Sequence, residues 1–182
     1  MFQKKILRKK YYELRKKKYY EIESEFFLPL VDFLKLNKRN KYKIALYYPS
    51  NFEINVLKFL ENKFIKTQTT SLPVIEKNEQ MNFYLWKKNQ VLLVNKYGIL
   101  EPFKTKINIP DVILVPLLSF DKEKYRLGYG KGFYDRYLSK YIKKFKNIIT
   151  VGVAFSFQKH HKLPKENNDI QLNYILTEKG IY

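Results

Sequence analysis

Residues 126–136, RLGYGKGFYDR, contain the residue types and spacing of an anion-binding loop. Gly128, Gly130 and Gly132 alternate along the stretch, and a backbone without Cβ atoms can turn its N–H groups toward a ligand. The apolar spacing that follows predicts a helix over residues 133–145. The free N–H groups at the start of such a helix, together with its dipole, favour a negatively charged group. The pattern therefore predicts a cradle for phosphate.

Charged side chains in the same stretch point to a nucleotide rather than a simple anion. Arg126 and Lys131 can clamp phosphate oxygens, and Asp135 can hold a divalent ion on them. The loop is not a Walker A motif, because no Lys-Ser/Thr pair follows the glycines, and its G-x-G-x-G spacing departs from the dinucleotide fingerprint. The alternative is a glycine-rich turn that only joins a strand to a helix. Asp121, earlier in the loop, could serve to steady it.

The rest of the composition makes this loop more informative. The chain has only six glycines in 182 residues, and half of them lie in the loop. Only five of the 36 basic residues are arginine, at positions 8, 15, 39, 126 and 136. Arginine offers phosphate a planar, bidentate fork that lysine lacks. A chain poor in both residue types has kept them together at one place, which indicates a functional loop.

The net charge is strongly positive, with 36 Lys and Arg against 17 Asp and Glu, or +19. Such an excess is typical of nucleic-acid-binding proteins. However, half of the chain consists of Lys, Asn, Ile, Phe and Tyr, which AT-rich codons supply, and the lysines are scattered. Codon bias is the favoured explanation. A basic nucleic-acid-binding protein, with salt-dependent binding, remains the alternative, and a kinase-like enzyme with a stable phosphoproduct is a third.

Several classes of protein are excluded by residue types that are missing. The chain has no cysteine, which removes disulfide frameworks, thiolate metal sites and cysteine nucleophiles. Its two histidines, His160 and His161, are adjacent and do not share a helix face. The sequence has no apolar run of membrane-spanning length and no leader-like N-terminus. We therefore expect a cytoplasmic protein with no membrane partner.

Alternating strand and helix patterns predict one α/β domain over residues 1–182. We expect a mostly parallel sheet with helices on both faces, in a Rossmann-like three-layer arrangement. Residues 2–35 form a basic helical stretch that Pro29 should split into two helices. The apolar run at 112–115 is typical of a strand buried on both faces. Further strands are predicted at 44–48, 72–75, 82–86, 148–154 and 174–176, a helix at 54–62, and an unassigned apolar segment at 91–94.

Residues 111–138 as a whole resemble the signature of the 5-formyltetrahydrofolate cyclo-ligase family, also called methenyltetrahydrofolate synthetases. Shorter matches follow in the same order as in the family, and they include residues 4–8, Glu53, 72–73, 98–102, Asp169 and 174–178. The resemblance implies an ATP- and Mg²⁺-dependent ring closure. In this family ATP phosphorylates the formyl oxygen of 5-formyltetrahydrofolate, a second folate amine attacks, and phosphate leaves as 5,10-methenyltetrahydrofolate forms.

The resemblance also implies roles for individual residues. Arg126 and Lys131 would be catalytic, and Asp135 and Asp169 would hold magnesium. The ATP-binding set would be Lys4, Lys5, Ile6, Leu7, Arg8, Arg126, Leu127, Gly128, Tyr129, Gly130, Lys131, Gly132, Phe133 and Tyr134. The folate-binding set would be Tyr48, Glu53, Tyr129, Gly130, Lys131, Gly132 and Phe133. The expected partners are the folate and its polyglutamates, bound by a monomer without specific nucleic acid.

Each assignment outside the glycine loop has a structural alternative. Lys4 and Arg8 share a helix face, but a solvated basic face explains them equally well from sequence. Glu53 lies near a predicted helix start, where it could serve as a dipole partner. Asp169 follows two asparagines and could be a simple turn residue.

Overall fold

A seven-stranded sheet lies at the centre of the structure, a computed structural model that describes residues 2–37, 39–145 and 147–182. The strands along the chain are β1 (Lys43–Ala45), β2 (Thr69–Ile75), β3 (Met81–Leu85), β4 (Leu92–Val94), β5 (Leu100–Pro102), β6 (Val112–Pro116), β7 (Ser119–Phe120), β8 (Arg126–Leu127), β9 (Ile149–Val153), β10 (Tyr174–Thr177) and β11 (Gly180–Ile181). The main sheet has the order β11-β10-β9-β6-β1-β2-β3, while β4–β5 and β7–β8 form separate hairpins.

The sheet is mostly parallel, as predicted. β10, β9, β6, β1 and β2 run parallel to their neighbours, and only the two edge strands, β11 and β3, are antiparallel. The connection from β1 leads to β2 on one side, whereas β6 leads to β9 on the other. The boundary between β1 and β6 is therefore a topological switch point, where the carboxyl ends of parallel strands open a crevice.

Within the described residues, four α-helices accompany the sheet: α1 (Phe2–Lys18), α2 (Leu28–Leu36), α3 (Lys63–Lys66) and α4 (Phe133–Ile142). The predicted helix over 54–62 is wrong in type, because Val56–Glu61 forms a 3₁₀ turn and α3 follows as a single turn. The N-terminal stretch does divide into two helices. However, Pro29 lies in the first turn of α2 and so begins that helix, because proline fits where no N–H is needed.

Alternate residues of β6 show why the sheet is covered on both faces. Val112 and Leu114 join a cluster with α2 and the 3₁₀ turn, whereas Ile113 and Val115 join a second cluster with α4. All four side chains are fully buried. This arrangement confirms the prediction from the continuous apolar run at 112–115. A third, smaller cluster of Leu7, Tyr11, Leu118, Leu127 and Leu163 docks α1 onto the β7–β8 hairpin.

Candidate active site

A cavity of about 1200 Å³ lies at the switch point of the sheet. Tyr47 and Tyr48 after β1, Pro116 at the end of β6 and the glycine loop after β8 contribute to its wall. Cations outnumber acids among the side chains that line it: Lys4, Arg8, Arg126, Lys131, Arg136, Lys140 and Lys143 against Glu53, Glu101, Asp135, Glu166 and Asp169. The balance favours an anionic ligand.

The glycine loop forms one wall, and two of its glycines need their conformational freedom. Gly130 and Gly132 have φ angles of +98° and +66°, in the left-handed half of the map that side chains disfavour. Gly132 caps the N-terminus of α4. The alternative of a simple connecting turn does not explain why Arg8 from the distant helix α1 packs against Gly130 and donates from Nε to the Gly128 carbonyl at 2.9 Å.

Helix α1 brings a second cation to the same cavity. Lys4 is only 7% exposed, and its Nζ lies 2.6 Å from Oδ2 of Asp169 and 3.3 Å from Oε2 of Glu166. Asp169 also accepts a bond from the Glu166 backbone N–H at 2.7 Å, so it is both a turn residue and a cavity residue. These contacts exclude a merely solvated face for Lys4 and Arg8.

The neighbouring predicted residues on α1 lie elsewhere. Lys5 and Ile6 point to solvent, and Leu7 belongs to the buried cluster that docks the helix. None of the three lines the cavity. Helical periodicity explains Lys5 and Ile6, which are one and two residues from Lys4 and therefore lie on other sides of the helix, whereas Leu7 is occupied by its packing against the β7–β8 hairpin.

Arg126 lies in the floor of the cavity, and its guanidinium is already hydrogen-bonded to neighbouring groups. Its side chain is 4% exposed, its NH2 group donates to Oδ1 of Asp135 at 2.8 Å, and NH1 donates to the Ile170 carbonyl at 3.0 Å. The same Asp135 oxygen accepts a bond from the Ile170 N–H at 3.2 Å. The predicted cationic clamp is thus already engaged, and it links β8, α4 and the segment carrying Asp169.

The opposite wall carries a buried carboxylate. Glu53 is 7% exposed, accepts from the Tyr129 hydroxyl at 2.7 Å, and accepts from the Ser50 N–H at 2.9 Å. Burial raises the pKa of the Glu53 carboxyl, with these hydrogen bonds and the nearby Arg15 charge opposing the rise. The 3₁₀ turn nearby is capped by Asn55, not by Glu53, so the helix-dipole alternative is wrong.

Aromatic rings close the remaining sides. Tyr97, in the turn of the β4–β5 hairpin, lies 5.9 Å from Phe133 between ring centroids, and Lys131 Nζ lies 5.8 Å above the Tyr97 ring. The Tyr134 hydroxyl is buried and has no hydrogen-bond partner among the residues that the structure describes. Burial raises its pKa well above the usual value, so it stays protonated and can donate.

Among the residues without a role in the sequence analysis, Tyr97 lines this cavity and Arg15 lies behind its wall. The β4–β5 hairpin brings Tyr97 to the glycine loop, although its segments were too short to classify. Arg15 was noted only as a rare arginine, yet it is buried beside Tyr129. Asp121 behaves as expected, because its carboxylate accepts bonds from Glu123, Tyr125 and Leu163 N–H groups and so steadies the loop.

Across residues 2–37, 39–145 and 147–182 there is no cluster of three or more acidic, His or Cys side chains able to hold a metal ion. No helix within those same ranges combines the length and apolar character needed to cross a bilayer.

The fold and the cavity define an α/β protein with a mostly cation-lined cavity at a switch point, with a glycine loop on one wall and a buried carboxylate on the other. The sequence model of the 5-formyltetrahydrofolate cyclo-ligase family matches residues 9–178. The chain therefore belongs to the 5-formyltetrahydrofolate cyclo-ligase family. Membership accounts for the glycine loop, which the nucleic-acid-binding alternative left without a role.

Individual relatives align with most of this chain. The chain is 31% identical to a 5-formyltetrahydrofolate cyclo-ligase of Haemophilus influenzae over 152 residues, covering 78% of this chain and 79% of the relative. A Mycoplasma genitalium protein of the same name is 29% identical over 95% of this chain and 94% of its own.

Two solved structures share the fold. An Aquifex aeolicus 5,10-methenyltetrahydrofolate synthetase superposes with a TM-score of 0.75 and 33% identity, over 98% of this chain and 91% of that one. A Mycoplasma pneumoniae 5,10-methenyltetrahydrofolate synthetase gives a TM-score of 0.71 and 28% identity, over 95% of this chain and 97% of that one.

Proposed function

We propose that this protein converts 5-formyltetrahydrofolate to 5,10-methenyltetrahydrofolate while ATP is converted to ADP and phosphate. Family membership supports the reaction. The observation that carries the proposal for this chain is the cavity itself, where Arg8 and the glycine loop form one wall and the Tyr129 side chain of that loop reaches Glu53 on the other. One wall suits phosphate, and the other suits a ring with hydrogen-bond donors.

The chemistry explains why both walls are needed. The formyl oxygen attacks the γ-phosphorus of ATP and ADP leaves, which turns a poor leaving group into a good one. The second folate amine then attacks the formyl carbon, and phosphate departs with the electron pair of the carbon–oxygen bond. Such a phosphoryl transfer requires mainly alignment and charge neutralisation from the protein.

On the ATP side, the backbone N–H groups of residues 128–132 and the start of α4 are proposed to bind phosphate. Lys4 and Arg8 would complete the pocket from α1, and Lys131 would neutralise charge on the transferred group. Arg126 is proposed to act from the cavity floor, where it already holds Asp135. Tyr134 would donate a hydrogen bond from its hydroxyl to the bound ligands.

On the folate side, Glu53 is proposed to accept hydrogen bonds from the donor edge of the pterin ring. Its carboxylate is buried, so such bonds would form in a medium of low polarity, where they are strong. Tyr48 and Phe133 would supply flat apolar contacts, because both are half-buried against the cavity. Tyr129 would fix the carboxylate through its hydroxyl.

Asp135 and Asp169 fit a magnesium ion that also contacts phosphate. Both line the cavity, and the Ile170 N–H that binds Asp135 follows Asp169 directly. Each keeps one carboxylate oxygen that bonds to no other described residue. Magnesium in nucleotide sites takes one or two carboxylates and completes its shell with phosphate and water. When bound, it would supply neutralisation of the phosphate charge.

Further proposals concern the polyglutamate tail of the substrate, and the oligomeric state and localisation of the protein. Arg136 and Lys140 on α4, and Lys143 directly after the helix, follow one another along the lining of the cavity. Their spacing supports the proposal that folate polyglutamates bind here, because a row of cations suits a chain of carboxylates. We propose that the protein works as a cytoplasmic monomer, which gel filtration and cell fractionation test.

The first experiment mixes purified protein with 5-formyltetrahydrofolate, ATP and magnesium, and follows the near-ultraviolet absorbance of the methenyl product. Arg126→Ala is the test variant, and Arg39→Ala is the matched control. Arg39 precedes β1 and pairs with Asp111, which precedes β6, so it lies at the end of the strands away from the cavity. We expect product with wild type and Arg39→Ala, and a loss of at least about a hundredfold with Arg126→Ala.

Two results would contradict the proposal. A phosphorylated folate that accumulates without methenyl formation would indicate a kinase-like enzyme. Absence of product, together with no calorimetric binding of ATP or folate, would refute the assignment altogether, and salt-dependent RNA binding would then be measured.

A further inference from the structure

Arg15 is a buried cation on the same face of α1 as Lys4 and Arg8, about two turns beyond Arg8, where it reaches the loop after β1. It is 1% exposed. Its NH1 group donates to the Leu117 carbonyl at 3.0 Å, and NH2 donates to the Asn51 carbonyl at 2.8 Å and to the Tyr129 hydroxyl. One guanidinium thus ties together the segments after β1, β6 and β8.

These contacts lead directly to the folate wall. The Tyr129 hydroxyl that accepts from Arg15 donates in turn to Oε1 of Glu53 at 2.7 Å. The result is a chain from cation to phenol to carboxylate. Because each group polarises the next inside the protein, such a chain holds its members more firmly than isolated bonds would.

The backbone beside Glu53 depends on the same cation. Asn51 and Phe52 are consecutive residues with φ angles of +49° and +63°. A left-handed conformation is unfavourable for a bulky residue and persists only where its surroundings impose it. The Arg15 bond to the Asn51 carbonyl is one such constraint, and it lies two residues from Glu53.

From these contacts we propose that Arg15 is a positioning residue for folate binding, which fixes Tyr129 and the loop at residues 50–53 so that Glu53 faces the cavity. The inference rests on the proposed function, since it assumes that Glu53 binds the pterin. Arginine suits the task because its planar fork reaches three acceptors at once and its charge persists at any physiological pH. A residue needed only for packing would not require a buried charge, which is costly to hold away from water.

The charge of Arg15 also predicts how folate binding should depend on pH. The groups facing Glu53 come from every element around it: Arg15, Ser50, Tyr47, Tyr129 and Tyr134. Arg15 is the cation among them, and it opposes the rise that burial causes in the Glu53 pKa. Removing it should move the acid limb of folate binding to higher pH, whereas a purely structural loss would not move that limb.

The test compares Arg15→Met with Lys16→Met, which removes the same charge from an exposed neighbour on α1. Folate and ATP affinities are measured separately by calorimetry over a pH series. We expect Arg15→Met to weaken folate binding about tenfold or more, to leave ATP affinity within about twofold, and to shift the acid limb upward. Lys16→Met should match wild type in all three readouts.

A double-mutant comparison keeps the proposal testable if Arg15→Met is unstable. Tyr129→Phe cuts the chain while keeping the ring and the cation, and it should show the same folate-selective defect. In a Glu53→Gln background, Arg15→Met should add less than about threefold, because the group it positions is already changed. Additive losses, equal losses of ATP and folate affinity, or an unmoved acid limb in folded Arg15→Met would overturn the proposal. Wild type that binds no folate would instead refute the proposed function.

Discussion

Gly130→Ala tests the close packing of Arg8, on α1, against the glycine loop. A Cβ at this position would lie 3.1 Å from Cζ, 3.3 Å from NH1 and 3.4 Å from Nε of Arg8. Gly130 also has φ +98°, which an alanine tolerates poorly. The substitution therefore strains the loop and pushes the guanidinium away from the Gly128 carbonyl that it contacts.

The two effects have separate magnitudes. Backbone strain at a positive φ costs an alanine about 1–2 kcal/mol, which for a chain of this size lowers the melting temperature by about 2–8 °C. A hydrogen bond to a charged group contributes about 1.5–3 kcal/mol. Losing one from Arg8 to phosphate should therefore weaken ATP binding by about 10- to 150-fold.

Calorimetry for ATP affinity and thermal melts for stability separate these effects, and two glycines serve as controls. Gly98→Ala has the same kind of strain, with φ +74°, but no atom within 4 Å of its Cβ. It should lower the melting temperature while leaving ATP affinity unchanged. Gly128→Ala has neither a positive φ nor a contact, so its stability should equal or slightly exceed that of wild type.

Folded Gly130→Ala that binds ATP as tightly as wild type would show that Arg8 does not contribute to ATP binding through this contact. Loss of ATP affinity to the same extent in Gly98→Ala would show that backbone strain alone accounts for the defect.

Two further predictions concern buried polar groups. Tyr134→Phe removes a buried hydroxyl that has no partner among the described residues, so the free protein should be as stable or up to about 1 kcal/mol more stable. The thermal stabilisation caused by ATP and folate should nevertheless shrink, and an undiminished ligand shift would contradict the proposed role. Burial raises the Glu53 pKa, so the folded state binds its proton more tightly and stability falls as pH rises above the unfolded value near 4.5. The free energy of unfolding of wild type, measured relative to that of Glu53→Gln over a pH series, should decrease as pH rises. An increase with pH would refute the burial argument.

Patterns that act within a few residues were visible in the sequence. The strand at 112–116 follows from an apolar run flanked by prolines, and α4 follows from glycines succeeded by helical spacing. An anion-binding loop could equally be predicted from the sequence, because alternating glycines before a helix expose backbone donors by local geometry alone. The long signature at 111–138 identified the family for the same reason.

Features that join distant segments were decided by the tertiary structure. The 3₁₀ turn at Val56–Glu61 replaced a predicted helix, because Asn55 caps it and Asn62 begins a second turn. The sequence could place Arg126 near phosphate, but only packing showed that its guanidinium already binds Asp135 and the Ile170 carbonyl. Similarly, Lys4 could be a surface lysine or a site residue until the fold set it against Asp169.

The local sequence thus specified the glycine loop, the central strand and the family, since each depends on residues that are neighbours along the chain. The orientation of Glu53 and the burial of Arg15 were settled only by the tertiary structure. Arg15 and Tyr129 are separated by 114 positions, and Tyr129 and Glu53 by 76. No periodicity encodes a contact across such distances. It arises because the sheet brings the loops after β1 and β6 to one edge, the β7–β8 hairpin adds the glycine loop there, and α1 packs across all three, where the buried charge of Arg15 is hydrogen-bonded.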